Sequence, residues 1–172
     1  NINRITFGFN NPENFVNITK IETNPMVKIE FEDTTIQSHL IGLYNANNIN
    51  AAITIGKHFG VSNEKIKFGL ENYIPNNNRS QLLEKNSNKI ILDAYNANPS
   101  SMNAALTNFF QLEEKNKVAI LGDMFELGIE SSDEHKKLIE FCFHNENIIF
   151  YCIGKDFFAH KNSNTNMKFY KT

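Results

Sequence analysis

Three groups of side chains in this 172-residue chain have the types and spacing to do chemistry. Asp93, Tyr95, Asn96 and Asn98 follow the apolar run Ile90-Ile91-Leu92 and lead directly into Pro99-Ser100-Ser101. Asp123 and Glu126 stand in the same relation to Val118-Ala119-Ile120-Leu121, with His135 nine residues beyond Glu126. Arg79 lies alone in Pro75-Asn-Asn-Asn-Arg79. A carboxylate at the end of a buried strand, followed by a helix start, is a frequent place for a phosphate or other polar ligand in α/β proteins, because ligands collect beyond the carboxyl ends of parallel strands. The same residues also serve to cap helices and finish turns, and the residues alone leave both readings open. His135 falls on an apolar stripe, which favours a packed histidine over a catalytic one. An arginine in a hinge can meet a phosphate when two domains close, whereas most linker arginines are solvated charges.

Several chemistries are excluded by spacing. Gly56-Lys57 and Gly154-Lys155 lack the upstream glycine and the following Ser or Thr of a phosphate-binding P-loop. There is no Gly-x-Ser-x-Gly elbow, and the histidines at 39, 58, 135, 144 and 160 show no metal-ligand spacing, so no metal site is expected. A net charge of −2 without a basic tract gives no reason to expect nucleic acid or an anionic membrane as partner. No apolar run approaches the ~20 residues of a membrane span, and no signal segment opens the chain. Cys142 and Cys152 sit in apolar segments, where packing in a reducing cytoplasm is the expected role.

The elements that must position these groups follow from periodicity. Residues 4–41 read as a small antiparallel β region, with strands at 5–9, 15–18, 26–31 and 35–41 and turns at Asn24-Pro25 and Glu32-Asp33. A helix then runs to about Phe59, with Ala46, Ile49, Ile53 and Phe59 on one face and Gly60 as its stop; a second runs from Ser62 to about Tyr73. The linker places a domain boundary between residues 76 and 77. Beyond it the order is strand, helix, strand, helix, strand. Met102, Ala105, Leu106, Phe109 and Phe110 make one helix stripe, and His135, Leu138, Ile139, Cys142 and Phe143 another. Asn98-Pro99 begins the first of these helices, and Ser131-Ser-Asp-Glu134 reads as a capping box for the second. Strands at 89–92, 118–121 and 148–153 predict a Rossmann-like parallel sheet with helices.

Gly42-Leu-Tyr-Asn45-Ala-Asn-Asn48-Ile-Asn-Ala-Ala52 resembles the Gly-x-His-Asn-x-x-Asn-x-x-Ala-Ala motif of the Mur ligases. Asp93-Ala-Tyr-Asn-Ala-Asn-Pro-Ser-Ser-Met102 and Leu121-Gly-Asp-Met-Phe-Glu-Leu-Gly128 look like signatures of the branch that adds D-Ala-D-Ala to UDP-N-acetylmuramoyl-tripeptide. Tyr44 stands where that motif has His, and Ala94 where it has Ser. The resemblance implies the end of a central ATPase-type domain over 1–76, mostly β with two helices, and a C-terminal Rossmann-like domain over 77–172. It implies ATP and Mg²⁺ as cofactors, UDP-N-acetylmuramoyl-tripeptide and D-Ala-D-Ala as substrates, and a monomer active in peptidoglycan synthesis. By the same resemblance Asn45 and Asn48 face the adenine, Arg79 reaches the γ-phosphate on closure, and Asp93 serves the ribose side and hinge, beside Tyr95, Asn96 and Asn98. Asp123, Glu126 and His135 fall to the dipeptide site. The family's P-loop, metal-binding residues and UDP-binding domain are expected before Asn1, so this polypeptide is expected to be inactive alone. The alternatives are another Mur or folylpolyglutamate-type ligase, or a stand-alone Rossmann-like binding module.

Overall fold

Alternation of side chains decides the first sheet. In β3 (Met26–Phe31), Val27, Ile29 and Phe31 are fully buried while Lys28 and Glu30 face outward, with Glu22 bridging from the neighbouring strand to Lys28 at 3.1 Å. The computed structural model describes residues 4–172, so the first three residues of the expected 1–76 domain lie outside it. The chain divides into two compact units, one running to Tyr95 and one from Asn96 to Thr172.

In the first unit, β1 (Phe7–Phe9), β2 (Val16–Thr23), β3 and β4 (Thr34–Ile41) form one sheet in that order. It departs from the expected antiparallel region at its edge, where β1 runs parallel to β2 because residues 10–15 carry the chain back before β2 begins. Helix α1 (Tyr44–His58) lays Ala46, Ile49 and Ile53 on the buried sheet face. Phe59 does not join that stripe. The helix stops at His58, Phe59 is 76% exposed, and Gly60 takes φ +72°, a conformation that costs glycine little. Helix α2 (Asn63–Glu71) ends two residues before the expected Tyr73, where the Asn72 side chain turns back to donate to the Phe68 carbonyl at 2.8 Å. It packs Ile66 on the same core.

The strand expected at 89–92 is present as β6 (Asn88–Leu92), but it pairs antiparallel with β5 (Gln81–Lys85) and lies outside the parallel sheet. A two-residue turn at Asn86-Ser87, with Asn86 at φ +56°, brings these neighbours together and satisfies the backbone of β6 locally.

In the second unit, α3 (Pro99–Phe110) begins as expected: the Asn98 side chain accepts the Ser101 N–H at 2.9 Å, and the Ser101 hydroxyl accepts the Asn98 N–H at 3.2 Å. Strands β7 (Lys117–Gly122), β8 (Ile148–Ile153) and β9 (Met167–Tyr170) form a parallel sheet in that order. The crossovers are a 3-10 turn (Gly128–Glu130) with α4 (Ser131–Phe143), then α5 (Lys155–Ala159). Leu121, Phe150 and Met167 from the strands meet Leu106, Leu138 and Phe157 from the helices in one core. The opposite face of β7 remains open, with Val118 50% and Ile120 71% exposed. Lys117 is buried at the start of β7, and its ammonium donates to the Phe110 and Leu112 carbonyls at 2.8 and 3.1 Å, satisfying the carboxyl end of α3.

Cys142 and Cys152 are free and buried in this core. Burial pushes both thiols up to about 12, with Cys152 adding a smaller repulsion on Cys142. Between the ordinary thiol value of 9.0 and about 12 the folded state therefore holds protons that the unfolded chain releases, and stability falls as pH rises through that window. We expect the urea midpoint to drop between pH 8 and pH 10.5 by more in the wild-type chain than in a Cys142→Ala/Cys152→Ala variant. Neither thiol should react with a thiol reagent at pH 8 until urea is added.

Candidate functional site

Most of the residues singled out by sequence fall into two groups, one in each unit, while Asn96, Asn98 and Glu126 stand apart from both. The first is built around a tight loop at 78–80. Asn78 and Ser80 both adopt left-handed backbone, at φ +57° and +50°, with Arg79 between them. Such residues cost of order 1 kcal/mol each and persist only where neighbours over-determine them. Here the Asn78 carbonyl accepts the N–H groups of Ala94 and Tyr95 at 2.8 and 3.1 Å. The Ser80 N–H donates to Asp93 Oδ1 at 3.2 Å, and the Ser80 hydroxyl, on a residue only 3% exposed, hydrogen-bonds the Tyr44 hydroxyl. Burial raises the Tyr44 phenol above its usual 10.0, the Ser80 bond opposes that, and the Asp93 carboxylate adds to it.

Arg79 projects from this loop with its guanidinium over the Tyr95 ring, 3.8 Å from the centroid. Stacking uses the flat face of the group and leaves its N–H edges available to an anion such as a phosphate. Arg79, Asp93 and Tyr95 are thus brought together, all of them exposed. Asn45 and Asn48 sit on the first turn of α1, just past Tyr44, and they differ in availability. Asn45 is buried and spends its amide on the Ile41 carbonyl at 2.8 Å, while its oxygen accepts from Asn48 Nδ2 at 3.0 Å. Asn48 remains exposed. In the other unit, Asn96 is exposed and accepts the Ala97 N–H at 2.9 Å, and Asn98 is committed to capping α3.

The second cluster lies at the carboxyl end of β7. The Asp123 carboxylate, on a residue 8% exposed, accepts the Asp156 N–H on Oδ2 at 3.0 Å and the Phe157 N–H on Oδ1 at 2.9 Å, so that it caps α5. Gly154 makes room for it. A Cβ at that position would stand 2.2 Å from the carboxylate, and the residue takes φ +132°. His135 is fully buried against Phe157, ring centroids 4.7 Å apart. Its Nδ1 contacts the Ser131 carbonyl at 2.7 Å, which can only accept, and its Nε2 receives the Met124 N–H at 3.0 Å, which can only donate. These partners fix a neutral imidazole protonated on Nδ1, leaving Asp123 Oδ1, 3.6 Å from Nε2, without a shared proton. The sequence leaned towards a packed histidine, and the geometry agrees.

Ser131 does not form the expected capping box. Its hydroxyl donates to Asp156 Oδ2 at 3.0 Å, because the preceding 3-10 turn already carries the chain into α4 without a side-chain cap. Glu126 is exposed at φ +64°, away from these bonds. Sequence reasoning noted Tyr44 only as a departure from a motif, and it missed the roles of Ser80 and Gly154. Only the positive φ of Gly154 has a local signal, its glycine.

Asp123→Ala should destabilise the chain by about 2–4 kcal/mol in urea unfolding, since it uncaps α5 and leaves two N–H groups unpaired. Gly154→Ala should cost a similar amount, of order 2–3 kcal/mol. In the Asp123→Ala background the Gly154→Ala cost should shrink by about 1 kcal/mol or more, because the clash partner is gone. Simple additivity would show that the two residues do not press on one another.

Nucleotide chemistry fits the first cluster only in part. Arg79, with its open edges, and the exposed Asp93 and Asn48 suit phosphate and hydroxyl partners. No group of three or more His, Cys, Asp or Glu that could hold a metal by itself occurs among the described residues.

Comparison with known proteins agrees with this arrangement. Residues 78–165 match the family model for the Mur ligase, glutamate ligase domain. The UDP-N-acetylmuramoyl-tripeptide–D-alanyl-D-alanine ligase of Treponema pallidum is 32% identical over 130 residues, 76% of this chain and 28% of that protein. The crystal structure of MurF from Acinetobacter baumannii superposes with a TM-score of 0.80 at 28% identity, over 98% of this chain and 37% of that one. MurF from Thermotoga maritima in complex with ADP shares the fold at a TM-score of 0.75 and 20% identity, over 95% of this chain and 38% of that one. The chain thus spans between a quarter and two fifths of the length of these relatives, and it belongs to the Mur ligase family.

Proposed function

We propose that this chain is part of an ATP-dependent ligase that joins D-Ala-D-Ala to UDP-N-acetylmuramoyl-tripeptide in peptidoglycan synthesis. The observation that carries the reading is the pinned 78–80 loop, which presents an arginine with open N–H edges beside Asp93, the first residue of a segment that resembles a family signature. Relatives bearing that activity in their names, and ADP held by one of the same fold, support it.

In this reading the terminal carboxylate of the tripeptide attacks the γ-phosphorus of ATP and ADP leaves. The D-Ala-D-Ala amine then adds to the acyl carbon, and the C–O bond to phosphate breaks as the amide forms. Arg79 donates to the γ-phosphoryl oxygens, where negative charge is redistributed in the transition state. Asp93 accepts from the ribose hydroxyls, and Tyr95 holds the guanidinium flat. Asn48 serves the base, with Asn45 orienting it. By the family resemblance Asn96 is assigned to the same nucleotide as a lesser contact, while Asn98 contributes by starting α3. Of the three residues assigned to the dipeptide, Glu126 is the exposed one; Asp123 and His135 hold the loop that carries it. Mg²⁺ ligands are assigned to other parts of the enzyme.

The family match begins at residue 78, which supports a functional boundary at 76/77 even though compactness breaks only after Tyr95. No helix among the described residues is long and apolar enough to cross a membrane, and a monomer in the cytoplasm is the state we propose. In the complete enzyme, Arg79→Ala should lower kcat by about a thousandfold while changing the KM for the tripeptide substrate only a few-fold, by analogy with arginines that stabilise phosphoryl transfer. Normal turnover would remove Arg79 from the mechanism. The 172-residue chain with all substrates should release no phosphate.

A further inference from the structure

The pinned loop has one attachment that the reaction scheme does not use. Of the bonds described around residues 78–80, those from Asn78 and from the Ser80 N–H all run to the neighbouring segment 93–95. The Ser80 hydroxyl alone among them reaches a distant element, the Tyr44 side chain at the start of α1, thirty-six residues away in sequence. Tyr44 is also where this chain has a tyrosine in a motif position that otherwise carries histidine. Both side chains can donate a hydrogen bond from a flat ring.

We propose that Tyr44 is a positioning residue for Arg79: its hydroxyl ties the 78–80 loop to the first turn of α1, which carries Asn45 and Asn48. The inference rests on the reading of Arg79 given above. Without the tie, a buried Ser80 hydroxyl loses its partner, and two left-handed residues flanking Arg79 lose one of the contacts that offset their strain. The loop then relaxes and the guanidinium no longer holds one direction. Because reaction rates respond steeply to placement, a shift of this kind acts on turnover more than on binding of the peptide substrate. Burial and the Asp93 charge keep the phenol protonated through the neutral range, so the tie does not titrate there.

Two variants separate the tie from bulk packing. Tyr44→Phe keeps the ring and removes the hydroxyl; Tyr44→His restores a donor. In the 172-residue chain, Tyr44→Phe should speed amide hydrogen exchange at Ser80, Ala94 and Tyr95 by about tenfold, while Ile49 and Ile53 within α1 exchange as before. In the complete enzyme it should lower kcat about tenfold with the KM for the tripeptide substrate within about twofold, and Tyr44→His should recover kcat to within about threefold of wild type. Unchanged exchange at the three loop amides overturns the proposal, as does a Tyr44→Phe enzyme of normal kcat in which Arg79→Ala is inactive. If Arg79→Ala turns over normally, the proposed role of Arg79 fails instead, and the exchange measurement alone decides whether the tie exists.

Discussion

A carboxylate at the end of a strand, accepting N–H groups from a chain segment that comes from elsewhere, organises both units of this protein. In the second unit, Asp123 gathers the start of α5 and leaves no room for a side chain at Gly154. In the first, Asp93 takes the Ser80 N–H and so fixes the loop that bears Arg79. A carboxylate acceptor makes a stronger bond than a carbonyl does, and at Asp123 two N–H groups on one carboxylate resist rotation of the segment they come from. The two sites differ in burial. Asp123 is enclosed and serves as a structural anchor, while Asp93 is exposed.

The same contrast separates the other candidate residues. His135 and Asn45 have each polar atom occupied by a partner, which gives them orienting roles. Arg79, Asn48 and Glu126 are exposed. A ligand site needs both kinds: groups free to bind, and groups that have spent their hydrogen bonds on holding them still.

Much of this was legible in the chain because it is local. Asn98-Pro99-Ser-Ser announces a capped helix within four residues, and the apolar stripes of α3 and α4 repeat with the helical period. The Asp93 and Asp123 segments were also readable, since each follows a short apolar run. What periodicity cannot carry is choice of partner. Ile90-Ile91-Leu92 reads as a buried parallel strand, yet Gln81–Lys85 lies within reach of a two-residue turn and takes it instead. Strand β9 was missed because Met167–Tyr170 offers four residues behind a run of asparagines, too few to show alternation. Ser131 looked like a cap because its spacing to Glu134 is right, but Asp156, twenty-five residues away, claims its hydroxyl. The Tyr44–Ser80 bond likewise joins residues with no pattern between them.

Lys117 draws helix and strand into one cooperative piece. Its backbone belongs to the first rung of β7, while its ammonium closes off the last carbonyls of α3. Fraying of the helix end would strand a buried cation, and peeling of the strand would uncap the helix, so neither opening comes at the small free energy usual for an element's terminus. The segment between residues 110 and 117, which has no regular structure of its own, should therefore behave as part of the folded core in local opening and not as a free loop.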